Sequence, residues 1–393
     1  MRLKIKFCGA KLMKNSDQSN LLVQNMFSFF SIIRFNILYL HNISNLKTMK
    51  LRNKILLGIL AILIALVAFN YKLVRYGIEQ GLGQLEMVRN AVPIDDLLAD
   101  PEYPDSLKQK LLLIKEIRRY AIDSLHLTDS KNYNAVYDLK GRPTAYVVQA
   151  CEKYRIKKYL WDFPVVGKLP YKGFFDEEDA KKEVAWLEKK GYDTRIAHPS
   201  GWSTMGWFTD PVLSTMLRRS EGELAELIIH ELTHSTVFVK NNSELNENIA
   251  DYVGENGAKL YLASKYGDTS AILFNYSAAI TDNERMAMYF LRGAHKLDSM
   301  YQSADFIKLP DNEKDTLKCA MIQDVINNVD TVNFLRIKPQ RIKDGRLKNI
   351  NNTFFTGYMT YYNRKDSLRD ECQRDFGGDF MQHLESFKNR WGR

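Results

Sequence analysis

The run Ile55 to Phe69, ILLGILAILIALVAF, carries no charge and no residue that water would solvate well. Taken out of water, such a stretch satisfies its backbone polar groups only by closing them on one another in a helix. Extended to Tyr71 it gives about 17 mostly apolar residues, near the lower limit for crossing a bilayer. Lys47, Lys50, Arg52 and Lys54 precede the run, and Lys72 and Arg75 follow it. The basic excess on the N-terminal side keeps that end cytoplasmic and sends the rest of the chain across. Asn70-Tyr71-Lys72 offers no small-x-small cleavage site, and no cysteine follows closely. The sequence therefore predicts an uncleaved single-pass anchor in the inner membrane, with residues 76–393 periplasmic.

What precedes the anchor differs in character. Residues 1–48 hold seven Lys or Arg against one acid, Asp17, and so six of the chain's nine net positive charges. Met49-Lys50-Leu51-Arg52 reads as a natural start, so residues 1–48 are expected to be an extension that is untranslated or disordered. Residues 49–75 form the basic flank and anchor, and 76–393 one domain large enough for its own core. That domain is only mildly basic and holds no recognisable nucleic-acid module, so no nucleic-acid partner is expected. The four cysteines, Cys8, Cys151, Cys319 and Cys372, contain no C-x-x-C pair, which argues against a thiolate metal site.

Periodicity sets out the elements. Residues 77–89 read as a helix, and Pro93, Pro101 and Pro104 punctuate an acidic loop. Leu107, Leu111, Ile114, Ile117 and Ile122 recur at helical spacing within 106–125. Strand-like pieces follow at 144–150 and 163–166, then a helix from an Asp176 cap to Gly191, then a strand over 192–197. From Glu221 onward the pattern is mainly helical. The fold class expected is α+β, predominantly helical, with a small sheet, preceded by one transmembrane helix.

The chemistry lies in 223–240, ELAELIIHELTHSTVFVK. His230 and His234, four apart on a helix, project from one face one turn above the other. Two imidazoles so placed can bind one Zn²⁺, and Glu231 beside them can hold and deprotonate the water that the metal activates. A catalytic zinc needs a third protein ligand and an open fourth position. Thirteen residues past His234 stands Glu247, in NENIAD, on a segment helical in pattern from Glu244 to Tyr266, with Ser243 as its cap and Gly267 as its stop. A helix–loop–helix returns this carboxylate to the histidines. Glu244 competes with it but lies nearer the helix start. Asp251, four residues after Glu247, can accept a hydrogen bond from a ligating histidine and fix its tautomer. Lys240 stands where a third histidine of the longer H-E-x-x-H-x-x-G-x-x-H pattern would be, which excludes that pattern.

The segment HELTHSTVFVKNNSELNENIADYVGENGA (230–258) resembles the bacterial predicted aminopeptidase family of gluzincin-like zinc peptidases. The resemblance extends to 83–101, 171–180, 203–217 and 351–362, so it covers nearly all of residues 76–393 and nothing before Met49. It implies a zincin-like metallopeptidase domain with one zinc per chain on His230, His234 and Glu247, and Glu231 as the catalytic base. It further implies a strand with Ser203, Thr204 and Gly206 along the cleft, substrate contacts from Asn351 and Asn352, and Tyr361 as oxyanion donor. The chain departs from many relatives after that tyrosine, where RKDSLRDEC (364–372) replaces a VP-x-F-type sequence. The expected activity is hydrolysis of peptide substrates, with the membrane as second partner. The alternatives are a zinc amidase acting on non-peptide or cell-wall amides, and a binding protein on an inactive peptidase fold. Glu223, Glu226, Asp210 and Glu244 are the nearby acids that could anchor a free substrate amine.

Overall fold

The structure, a computed structural model, describes residues 50–163, 167–199, 209–343, 347 and 350–392, and at 63, 72, 243, 341 and 360–366 the backbone alone. The chain divides into two compact units, Met1–Gly77 and Ile78–Arg393. In the first, helix α1 (Leu51–Phe69) exposes Ile55, Leu56, Ile59, Leu60 and Ile62. With a mean hydropathy of 2.1, it is the one helix among the described residues long and apolar enough to cross a membrane. It stops at Asn70, whose side-chain amide donates to the Leu66 carbonyl. Helix α2 (Tyr71–Arg89) follows.

The larger unit is predominantly helical with three small sheets, an α+β architecture. The acidic segment read as a loop contains strand β1 (Val92–Pro93) and helix α3 (Ile94–Ala99). Asp95 and Asp96 suit the positive end of that helix, and Ile94 is buried. Helix α4 (Asp105–Asp123) turns Leu111, Ile114, Ile117, Arg118 and Ala121 inward, as its spacing predicts. Strand β2 (Ala135–Tyr137) pairs antiparallel with β1 and parallel with β8 (Val212–Leu213). Strand β3 (Tyr146–Glu152) is the centre of a second sheet, antiparallel to β6 (Lys172–Phe174) and to β7 (Tyr192–Ala197). Strands β4 (Trp161–Phe163) and β5 (Gly167–Leu169) pair as a two-stranded antiparallel ribbon. The strand expected over 163–166 thus meets the described residues only at Phe163. Helix α5 (Glu177–Glu188) starts where the Asp176 carboxylate accepts from Asp179 N–H at 3.0 Å.

Helices α6 (Glu221–Thr236), α7 (Ser243–Tyr266), α8 (Ala271–Gln302), α9 (Ala304–Lys308), α10 (Asp311–Asn327), α11 (Asn352–Phe376) and α12 (Phe380–Trp391) complete the unit. Two apolar clusters hold them. In one, Ile114 and Ile117 of α4 pack with Leu224, Ile228 and Leu232 of α6, Val253 of α7 and Phe387 of α12. In the other, Phe290 and Leu297 of α8 pack with Val325 of α10 and Phe355 of α11. Cys151, Cys319 and Cys372 are free thiols.

Asp282 on α8 is fully buried, and its carboxylate accepts from the backbone N–H of Leu335, Arg336 and Ile337 at 2.6, 2.8 and 2.9 Å. Burial raises its pKa, but those bonds outweigh it and hold the carboxyl below its ordinary 3.8. The stabilisation is therefore complete above the ordinary value and lost as pH falls through the lower folded one. Asp282→Ala, which strands three buried donors, is expected to cost about 2–4 kcal/mol in urea unfolding at neutral pH. The deficit relative to wild type should shrink in acid.

Candidate metal centre

Helix α6 begins with a reciprocal cap. The Ser220 hydroxyl accepts from Glu223 N–H, and the Glu223 carboxylate accepts from Ser220 N–H at 2.9 Å. Its apolar face, Leu224, Ile228 and Leu232, is buried, which turns His230, Glu231 and His234 toward a partly covered surface. The chain reverses after Thr236 through Asn241, in the left-handed region at φ +60°, which asparagine tolerates. Asn242 rather than Ser243 caps α7, because its carbonyl oxygen reaches Leu245 N–H at 3.1 Å. Asn246 clamps the link twice. Its side-chain oxygen accepts from Val239 N–H at 2.7 Å, and its amide donates to the Val239 carbonyl at 2.9 Å.

The two helices then cross closely at Gly254. A Cβ there would lie 2.8 Å from the Glu226 carbonyl oxygen and 3.1 Å from the Cβ of His230. Only a residue without a side chain permits this approach, and the approach brings α7's acids to α6's histidines.

The result is a compact group. His230 Nε2 and His234 Nε2 are 3.2 Å apart, and the Glu247 carboxylate oxygens lie 3.6 Å from the first and 3.5 Å from the second. Each residue thus offers one ligand atom within 4.8 Å of the other two. Ligand atoms about 2.0–2.1 Å from one zinc at a tetrahedral angle stand about 3.4 Å from one another, so the triangle has the size one ion requires. His230 Nδ1 lies 3.0 Å from Asp251 Oδ1, which places a proton on Nδ1 and leaves Nε2 to face the group.

The electrostatics point the same way. Burial opposes a charged His230, but hydrogen bonds to Asp251 and Glu247 and the charge of Glu231 push its pKa up to about 10. The hydrogen bond from His230 in turn holds Glu247 below its ordinary range. A pocket that retains an extra proton this firmly favours positive charge, which a cation would supply in the proton's place. Burial, together with the charges of Asp210 and Glu247, pushes Glu231 up to about 7, against the opposing pull of His230. A carboxylate near 7 is matched to proton transfer at neutral pH. Glu244 is exposed on the first turn of α7 and is not one of the three converging residues.

A family model described as "Putative aminopeptidase" matches residues 75–390. The chain belongs to that family. No curated protein and no solved structure matches it. Membership supports a hydrolase acting on peptides, the coarse form of what the motif spacing implies.

Other residues that the resemblance implies are used differently or fall elsewhere. Asn352 is fully buried, and its amide donates to the Glu152 and Lys153 carbonyls while its oxygen accepts from the Tyr301 hydroxyl. Asn351 caps α11 through Thr353 and donates to the Thr194 carbonyl. Both side chains tie α11 to the β3–β7 sheet. Ser203, Thr204, Gly206 and the Tyr361 side chain lie outside the described residues. Among the candidate amine anchors, Glu223 is spent on the cap, and Glu226 accepts from the Tyr276 hydroxyl at 2.8 Å.

Tyr133 carries no sequence signal, since it lies in a loop without periodicity. It is fully buried, with φ +61°, a conformation that costs a bulky residue roughly 1–2 kcal/mol. Its backbone N–H donates to the carbonyl of the buried Asp210 at 2.8 Å. Its hydroxyl makes no hydrogen bond of good geometry among the described residues, yet it sits close enough to Glu231 for each to perturb the other's ionisation.

Gly254→Ala should therefore destabilise the domain by about 1–3 kcal/mol through overpacking. Gly357→Ala, in α11 with nothing within 4 Å of the added carbon, should be neutral or stabilise by up to about 1 kcal/mol. Opposite signs in thermal unfolding are the expected outcome. A Gly254→Ala protein as stable as wild type would contradict the close crossing.

Proposed function

We propose that this chain is a zinc-dependent aminopeptidase in which His230, His234 and Glu247 hold the metal and Glu231 is the general base. The observation that carries this reading is the convergence of the three side chains on one point, in a chain of an aminopeptidase family. A zinc ion held there supplies Lewis acidity to the scissile carbonyl and lowers the pKa of water.

The protein's own groups do the rest. Asp251 keeps the His230 proton on Nδ1, so the ring presents its other nitrogen in a fixed orientation. Glu231 accepts a proton from the attacking water and returns it to the leaving amine. The water oxygen bonds the carbonyl carbon, the C–N bond breaks, and the proton that Glu231 collected leaves on the nitrogen. The domain keeps a zincin-like arrangement on this reading.

The same reading sets α1 across the inner membrane with residues 76–393 periplasmic. Its exposed apolar surface and the basic residues before it support that placement. A chain lacking residues 1–75 should then leave the membrane fraction and keep its activity.

The deciding experiment measures zinc content and peptide cleavage for wild type beside Glu231→Gln. Wild type should hold about one zinc, as a single catalytic site requires. The variant should hold as much but lose about 10²–10⁴ in kcat. A wild type that retains zinc and cleaves no peptide would move the activity to non-peptide amides or to binding. A wild type without metal would overturn the central assignment.

A further inference from the structure

Residues 237–242 link α6 to α7, and where Glu247 arrives depends on where that link sits. Asn246 fixes it on one side, through Val239. The other side is fixed from far along the chain. Phe238 N–H donates to the Trp391 carbonyl at 2.9 Å, and Val237 pairs with Gly392 in an antiparallel bridge. Val237 is buried and stands three residues after His234. Both Trp391 and Gly392 sit at the end of α12, whose His383, Leu384 and Phe387 are fully buried. That helix also reaches α7. His383 Nδ1 lies 3.2 Å from the hydroxyl of Tyr252, the residue after Asp251. Helix α12 therefore braces both helices of the metal centre, one beside each half. Gly392 is tightly placed in this brace. A Cβ there would stand 2.5 Å from the Lys388 carbonyl oxygen. Its φ of −58° suits any residue, so the close approach alone requires glycine.

We propose that Trp391 and Gly392 form a strap that positions the metal centre, fixing Val237 and Phe238 and so the link that returns Glu247 to His230 and His234, with Gly392 as the positioning residue. The inference rests on the reading of those three side chains as zinc ligands. The strap touches neither the ligands nor substrate. Its contribution is to keep the ligands together before the ion arrives, so that binding orders little of the chain. The strap acts through backbone groups, so Trp391→Phe, which keeps an aromatic ring beside Phe387, leaves it intact. Gly392→Ala forces the backbone away from Lys388 and off the bridge.

The test measures zinc affinity by competition with a chelator, and the melting temperature of the metal-free protein, for wild type, Gly392→Ala, Trp391→Phe and His230→Ala. Gly392→Ala should bind zinc about 10–100-fold more weakly, the loss found when a group that orients a metal ligand is removed. Its metal-free melting temperature should stay near wild type, because the buried residues of α12 remain. The visible bands of the cobalt-substituted protein should shift in Gly392→Ala, and Trp391→Phe should match wild type in every reading. A folded Gly392→Ala that binds zinc as tightly as wild type would overturn the strap, as would a Trp391→Phe protein that loses as much affinity. Should Gly392→Ala melt early, a chain ending at Arg390 removes the strap without the clash. Wild-type affinity in that chain, or a loss that only follows early melting there too, would also overturn the positioning role. A wild type that binds no zinc, or a His230→Ala protein that binds it as tightly, would instead remove the metal centre and the strap's role with it.

Discussion

The site depends on how near α7 comes to α6. Helices with ordinary side chains between them keep their axes 8–10 Å apart. At Gly254 the missing side chain lets the backbone of one helix press on the carbonyl of Glu226 and on His230. The crossing sets the depth, and the Asn246 clamp on Val239 sets the register. With both in place, Glu247 and Asp251, four residues apart, arrive at two different atoms of the same imidazole. One meets Nε2 and the other Nδ1. Slide α7 by one residue and neither would.

The chemistry follows from charges that this geometry forces together. Four acids, Glu231, Glu247, Asp251 and Asp210, act on one another and on two histidines in a partly closed space. The same crowding makes His230 retain a proton and raises Glu231. The group is therefore unbalanced toward negative charge in a way that a divalent cation would correct. The stability of the rest of the unit has to hold this arrangement, because like charges at this spacing repel.

Much of this was legible in the sequence because α-helical spacing is a geometric rule. His230 and His234 four apart, and Glu247 and Asp251 four apart, must each share a face once their segments are helical. The thirteen-residue gap is long enough for a turn and short enough to bring the faces together. Asn246 and Gly254 lie in the same motif, but their roles appear only when two helices cross, which no single periodicity encodes. Tyr133 was invisible because its loop has no pattern and its backbone is held by the carbonyl of Asp210, far along the chain. The packing of Asn352 was not legible because its neighbours in space come from a β-sheet some 160–200 residues earlier. The helix within the acidic segment escaped because three prolines read as turns, although two of them fall outside the six helical residues and the third directly precedes them.

The two apolar clusters share two of their helices. Helix α8 gives Tyr276 to the cluster beneath the histidines and Phe290 to the other, and α11 gives Leu368 to the first and Phe355 to the second. Neither cluster can come apart without pulling on rods that run through both. A domain laced in this manner carries a disturbance of one cluster into the other through the helices they share. The whole of Ile78–Arg393 should therefore melt in a single cooperative step.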